Sequence, residues 1–298
     1  MGSLMLWVLA FQAATGEPQA ELPAALEKVA EEAEIFFRSA HLVVGQETLE
    51  HKGRRIPGRF KQRFGAPDAQ TPKISYNERV VTSEYGFAAM KNAPGDIREF
   101  RQVVKVNGRE VAKADKARHA LVANMKSEDD RARKRMLEEF EKHGLIGAAT
   151  DFGQAILMFR KSGLANFDFE YDSSRLVGLD AAMVIRYKQK QGEGMRLYDD
   201  KNLSRPKLAG ELWVRRRDYM PLRVTFAIEA KEYDKPVLHE AEVRYERSKA
   251  HGVLLPTQVR YARKMDGETM IENVAKYTAY RMFKVEADIK FTPAEEIP

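Results

Sequence analysis

Six histidines, at positions 41, 51, 119, 143, 239 and 251, are the residues of this chain best suited to hold a metal ion or to move protons. A metal site needs several such ligands at a spacing that converges on one ion. His239 is followed by Glu240, yet Val243 stands where the helical zinc motif needs its second histidine, and the setting is strand-like. Each of the other histidines stands alone. Paired carboxylates occur at Asp129-Asp130 and Asp199-Asp200. A general acid and base must face each other across a cleft with separated pKa values, so such neighbours read as solvated loop or helix-start residues. The chain has no G-x-S-x-G nucleophile elbow and no G-x-x-x-x-G-K-[ST] phosphate loop. "GEGMRL", from Gly192, lacks the third glycine of a dinucleotide loop and reads as a turn. Cysteine is absent, which excludes disulfides, thiolate zinc sites and cysteine nucleophiles. The sequence therefore predicts no catalytic residue, no metal site and no cofactor. An enzyme would have to be a hydrolase assembled from dispersed acids and histidines.

Charge narrows the partners. The 298 residues carry 50 Lys and Arg against 44 Asp and Glu, a formal net charge of +6. That mild bias keeps a protein soluble and is compatible with anionic surfaces. The run "RARKR" (131 to 135) reads as the solvated face of a helix, and "RRR" (215 to 217) as a strand end at a turn. No aromatic residues are interleaved with either run on one strand face, as single-strand binding platforms require, so nucleic acid is not an expected partner.

The elements that would position any site follow from pattern. A hydrophobic fraction of 44% supports a buried core. Leu4 to Phe11 form an apolar run too short to span a bilayer, which needs about 20 residues, but suited to the core of an export signal. It lacks the usual basic start, so residues 1–20 read as a truncated signal peptide and linker, with cleavage near Ala13 or Ala14. No cysteine follows the run, which excludes a lipid anchor. Residues 21–298 then form one domain, located in a periplasm or outside the cell.

Within that domain, Glu21 to Ala40 is an amphipathic helix, with Leu26, Val29, Ala33 and Phe36 or Phe37 at helical spacing. A strand from His41 leads into a basic, Gly- and Pro-rich loop, "HKGRRIPGRFKQR", suited to an anionic surface or a partner. Two strands follow, the second turning at Asn107-Gly108, a type I′ signal. Residues 111–162 favour helix. Ser127 and Asp130 form a capping-box pattern and Gly144 a stop for one helix. A second, more apolar helix starts at Thr150 or Asp151 and ends before Gly163. From Asn166 onward short strands alternate with turns, including Asp266-Gly267, which predicts an antiparallel meander. Leu222, Val224, Phe226 and Ile228 alternate with Arg223, Thr225 and Glu229. Val243 and Tyr245, and Val259 and Tyr261, repeat this logic. With Trp213 they are the candidate lining of an apolar site.

"GELWVRRRDYMPLRVTFAIEA", "EVRYER" and "GVLLPTQVRYARKMDGETMIENVAKYTAYRMFKVE" together resemble the bacterial outer-membrane lipoprotein carrier and sorting superfamily, the LolA/LolB-like fold. The shared features are a Gly-x-Leu-Trp strand, a turn before Pro221-Leu222-Arg223, and a Leu-Pro ahead of Gln258-Val259-Arg260-Tyr261. A closing Tyr277, Tyr280 and Phe283 completes them. They span about Leu176 to Lys290. The resemblance implies an α+β fold, a curved antiparallel half-barrel with the N-terminal helix in its concavity and an apolar cavity for acyl chains. The helical stretch 111–162 is an insertion in that plan, expected against the concave face. The function so implied is non-enzymatic binding of a lipid or other hydrophobic ligand in the cell envelope. The alternative is a structural or protein-interaction module of the envelope, with a closed core, an envelope protein as partner and no ligand.

Overall fold

A computed structural model of the chain describes residues 17–55, 75–90, 93–127, 130–145, 151–191, 207–232 and 235–282. The segment expected to be an export signal, the basic loop beyond Arg55, and Gly192 to Asp200 lie outside them, as does Phe283. Among the described residues no helix is long and apolar enough to cross a membrane.

Helix α1 (Glu17–Ser39) opens the fold. Leu22, Ala25, Val29, Ala33 and Phe36 recur every three or four residues and are buried, so the helix lays one stripe on the sheet. The sheet has eleven antiparallel strands: β1 (Val43–Arg55), β2 (Ser75–Met90), β3 (Ala93–Val106), β4 (Arg109–Glu110), β5 (Phe167–Val177), β6 (Asp180–Gln189), β7 (Ala209–Arg215), β8 (Met220–Glu232), β9 (Lys235–Arg247), β10 (Leu254–Met265) and β11 (Glu268–Met282). Their spatial order is β4-β3-β2-β1-β11-β10-β9-β8-β7-β6-β5, an open sheet with β4 and β5 at its edges. Two meanders are therefore joined where β1 pairs with β11, with Glu47 opposite Tyr277 and His51 opposite Asn273. The two predicted tight turns are present: Asn107 and Gly108 have φ of 50° and 77°, and Asp266 and Gly267 have 51° and 79°.

Since β4 and β5 are consecutive in the chain and opposite in the sheet, the segment between them must cross the whole sheet. Its described parts lie on both faces, and the reach across to β5 and β6 is made on the α1 face. Helix α2 (Ala114–Ser127) buries Leu121, Val122 and Met125 against Val44, Ala88 and Phe100, apart from the main core that holds α1. The strands β1 to β3 are thus covered on both faces. Gly86 permits the close approach of α2, because a side chain there would begin 2.7 Å from the Met125 sulfur. Helix α3 (Asp130–Lys142) follows the β3 edge, where Arg133 Nη1 donates to the Glu99 carbonyl at 3.2 Å and the Arg101 amide to the Met136 sulfur. Side chains of α3 thereby occupy backbone groups that an edge strand would leave open.

Two expectations are corrected here. The insertion does not lie wholly on the face that α1 covers, since α2 takes the opposite one. Nor is the stretch from Asp151, the described part of the second predicted helix, an α-helix: residues 151–154 run irregularly, Ala155–Phe159 is a 3-10 turn and Leu164–Asn166 another. The apolar residues of this stretch meet several strands in succession, and the larger rise per residue of a 3-10 turn, about 2.0 Å, with irregular flanks spreads them along that path.

Candidate functional site

The face carrying α1 holds most of the candidate lining. Cross-strand pairing puts Val224 opposite Val243, and Phe226 opposite Ala241. Val259 lies opposite both Val243 and Ala275. Ile228, Tyr245 and Tyr261 complete this set, all buried. Period-2 alternation selects Leu212 and Val214 as the inward residues of β7, so Trp213 points to the opposite face. Its indole donates to Glu211 at 2.8 Å, and the Arg223 guanidinium stacks 4.2 Å from its ring. Trp213 is therefore no part of the lining. Leu222 is displaced too: Trp213 pairs with Arg223 and Val214 with Pro221, which leaves Leu222 as the extra residue of a β-bulge, half-buried.

What covers these residues is the chain itself. We call residues 151–160 the strap. Phe152 stands between Phe226 and Tyr261, at ring separations of 5.0 and 5.2 Å. The Tyr245 hydroxyl donates to the Gly153 carbonyl at 3.1 Å and accepts the Ile156 amide at 3.0 Å, which satisfies backbone that no regular element serves. Phe159 packs on Phe167, Phe169 and Tyr187 of β5 and β6. Ionic clamps hold both ends. Arg133 grips Asp151 with two nitrogens, at 3.1 and 2.7 Å, and Arg98 lies 3.6 Å from the same carboxylate. Arg160 grips Glu34 of α1 with two more, at 3.1 Å each, while stacked on Phe37. Arg133 is thus buried, contrary to the reading of "RARKR" as a wholly solvated face. Arg216 and Arg215 of the second basic run pair with Glu21 and Asp218, at the turn where that run was placed.

Beneath the start of the strap lies a charged cluster that the motif search missed. Arg101 donates from Nε to both Glu47 oxygens, at 2.9 and 2.8 Å, and from Nη2 to Glu99 Oε2 at 2.6 Å. All three side chains are buried. Two carboxylates share one guanidinium, and Glu99 has the smaller share. Its Oε1 has no hydrogen-bond partner among the described residues, and neither has the Tyr85 hydroxyl. Burial pushes the Glu99 carboxyl up to about 7; Arg101 opposes this, while Asp151 and Glu47 add to it. Burial disfavours the charge on Arg101, but Glu47 and Glu99 more than reverse this and hold its pKa above the usual guanidinium range. The signal was in the strand phase. Glu99 and Arg101 fall in step with Ile97 and Val103, and Glu47 with Val43 and Leu49, all of them inward positions.

The polar row at the other end of β1 is also buried. His51 Nδ1 lies 2.7 Å from Asn273 Oδ1, and His239 Nδ1 2.9 Å from the Tyr261 hydroxyl. Burial lowers the His51 pKa, against the Asn273 hydrogen bond and with the help of Arg79. Among the described residues no three His, Asp or Glu side chains converge to hold a metal ion. General acid–base chemistry needs a group within reach of substrate, and Glu47, Glu99, His51 and His239 are all enclosed by protein. The arrangement can hold an apolar segment on an apolar sheet and bias that holding electrostatically.

No protein-family model and no curated protein matches the chain. Among solved structures it is similar to a DUF1329 family protein from Desulfovibrio piger, with 11% identity, a TM-score of 0.38, and coverage of 89% of this chain and 94% of that one. A similarity at this level carries no functional argument.

Proposed function

We propose that this chain is an exported, non-enzymatic protein of the cell envelope that binds a lipid or other hydrophobic ligand on the α1 face of its sheet. The strap covers that face, and a ligand would take its place. The observation that carries this reading is Phe152: an apolar side chain seated between Phe226 and Tyr261 on the irregular run 151–154, with polar clamps on either side of it. Phe152, Ile156 and Phe159 of the strap are buried in the main core, so a ligand that displaced it would have to replace those apolar contacts.

A half-barrel is supported by the neighbours Asp151 and Phe152. Asp151 Oδ1 accepts the Glu99 amide of β3, while the next residue meets Phe226 of β8. In a flat sheet those strands would stand about 29 Å apart, six strand spacings. Contact of adjacent residues with both strands fits a curled sheet better than a flat one. The apolar run Leu4 to Phe11 supports export.

A second reading, an envelope interaction module with a closed core, draws on the burial of the same residues: Tyr261, the most open of the inward candidates, is only 7% exposed. One experiment separates the two. Delipidated protein and its Phe152→Ala variant are titrated with a fluorescent long-chain fatty acid and weighed by native mass spectrometry. Binding predicts a saturable adduct of defined stoichiometry that forms more readily in the variant. No uptake by either protein would overturn the binding reading in favour of the closed module.

A further inference from the structure

We propose that Glu99 is a proton-operated latch on the strap: with its carboxyl protonated, residues 151–159 are held on the sheet, and with it ionised they are released. This deepens the binding reading and takes its purpose from it, because release of the strap is what would uncover Phe226 and Tyr261.

The geometry singles out Glu99 among the three buried or half-buried acids of the cluster. Glu47 receives the Arg101 Nε at both oxygens. Asp151 receives two nitrogens of Arg133, the Glu99 amide and the proximity of Arg98. Glu99 receives one nitrogen at one oxygen, and its Oε1 makes no hydrogen bond among the described residues. An unpartnered anionic oxygen in a dry interior is costly, and a proton removes that cost. The same oxygen touches the strap. A side chain on Gly153 would begin 2.9 Å from Glu99 Oε1 and 2.6 Å from the Tyr85 hydroxyl, both without a hydrogen-bond partner among the described residues. The strap backbone therefore passes directly over both.

The groups around Glu99 set the sense of the switch. They are Glu47 on β1, Tyr85 on β2, Arg101 on β3, Arg133 on α3, Asp151 on the strap, Tyr245 on β9, and Tyr277 and Tyr280 on β11. Burial holds the four tyrosines above their ordinary range, so they stay neutral through neutral pH. Arg101 already serves Glu47, and Arg133 serves Asp151. Ionised Glu99 thus adds a third negative charge beside Asp151, the residue that anchors the strap. With the Glu99 carboxyl raised to about 7 against an ordinary 4.5, proton binding favours the docked strap. The docked state has its full advantage below about pH 4.5 and loses it as pH rises through about 7.

The test needs no ligand, so its failure is distinct from a failure of the binding reading. Amide hydrogen exchange of the intact protein is followed at about pH 5 and about pH 8, each corrected for intrinsic exchange. Peptides covering 152–159 are expected to lose protection by about tenfold or more at the higher pH, a tenfold change corresponding to one pKa unit. In Glu99→Gln, whose amide is neutral throughout, protection should be equal at the two pH values. If that variant does not fold, the Glu99 carboxyl carbon of the wild-type protein, followed by NMR, must titrate near neutrality. Exchange that is independent of pH in the wild-type protein, a pH dependence retained in Glu99→Gln, or a Glu99 carboxyl titrating near its ordinary value would each overturn the latch.

Discussion

Phe152 meets Phe226 edge to face, with 5.0 Å between ring centroids and 63° between ring planes. This contact joins the strap to β8, and aromatic pairs in such geometry are worth about 0.5–1.5 kcal/mol beyond the area they bury. Phe152→Ala would also leave a cavity. The expected loss is about 3 kcal/mol, at the low end for buried Phe→Ala because the strap can shift to fill the space. Urea unfolding of variant and wild type measures it, and an unchanged midpoint would show that the ring contributes no net packing.

Tyr245→Phe removes one hydroxyl and two hydrogen bonds. The Gly153 carbonyl and the Ile156 amide are then left buried without their partner. A loss of about 1–3 kcal/mol is expected, confined to the strap. Hydrogen exchange should show the Ile156 amide deprotected while β8 and β9 stay protected.

Gly153→Ala tests the close passage of the strap over the charged cluster. The new carbon would begin 2.6 Å from the Tyr85 hydroxyl, 2.9 Å from Glu99 Oε1 and 3.2 Å from Pro256 Cγ. Tyr85 is fully buried and its ring cannot swing aside, so the strap must lift. The variant should lose about 1–3 kcal/mol and take up acyl probe more readily than wild type.

Arg101→Met leaves Glu47 and Glu99 without the guanidinium that both share. Breaking a buried ionic set by removing one partner costs about 3–5 kcal/mol, whereas replacing the whole set by apolar residues is often neutral. The triple variant Glu47→Leu, Glu99→Leu, Arg101→Met is therefore expected to be more stable than Arg101→Met alone. Thermal unfolding of the two proteins gives the comparison.

His51 predicts an acid limit. Burial depresses its folded pKa below the ordinary 6.5, so it contributes stability above that value, and the contribution is lost as pH falls through the folded pKa. Stability measured from neutral to mildly acidic pH should fall less steeply in His51→Gln than in wild type. This dependence has the opposite sign to that of Glu99 and acts on β1 and β11 rather than on the strap.

Much of the fold could be read from local pattern. The turns at Asn107-Gly108 and Asp266-Gly267 were legible because positive φ is a property of two adjacent residues, and the meander from Phe167 because alternation is local. The inward set Val224, Phe226 and Ile228 followed from the same alternation. Trp213, also named as lining, did not follow it, because the phase of Leu212 and Val214 assigns it outward. The path of residues 111–166 was not legible either. It depends on β1 pairing with β11, a contact between residues more than 200 positions apart, as His51 and Asn273 show. The charged cluster lay between the two cases. Acids and an arginine at inward strand positions are visible in sequence, but their convergence from β1, β3 and the strap is set by tertiary structure.

The pairing of β1 with β11 also fixes an order of events. The β5 to β11 meander can assemble from neighbouring hairpins between strands consecutive in the chain, whereas β1 waits for the last strand of the sheet. Until then β1 to β3 present a long unpaired edge, and closing so large a loop makes that join the slow, entropically demanding step. A chain of this design reaches its native sheet only when β11 is available, and is open to misassociation through β1 for all the time before.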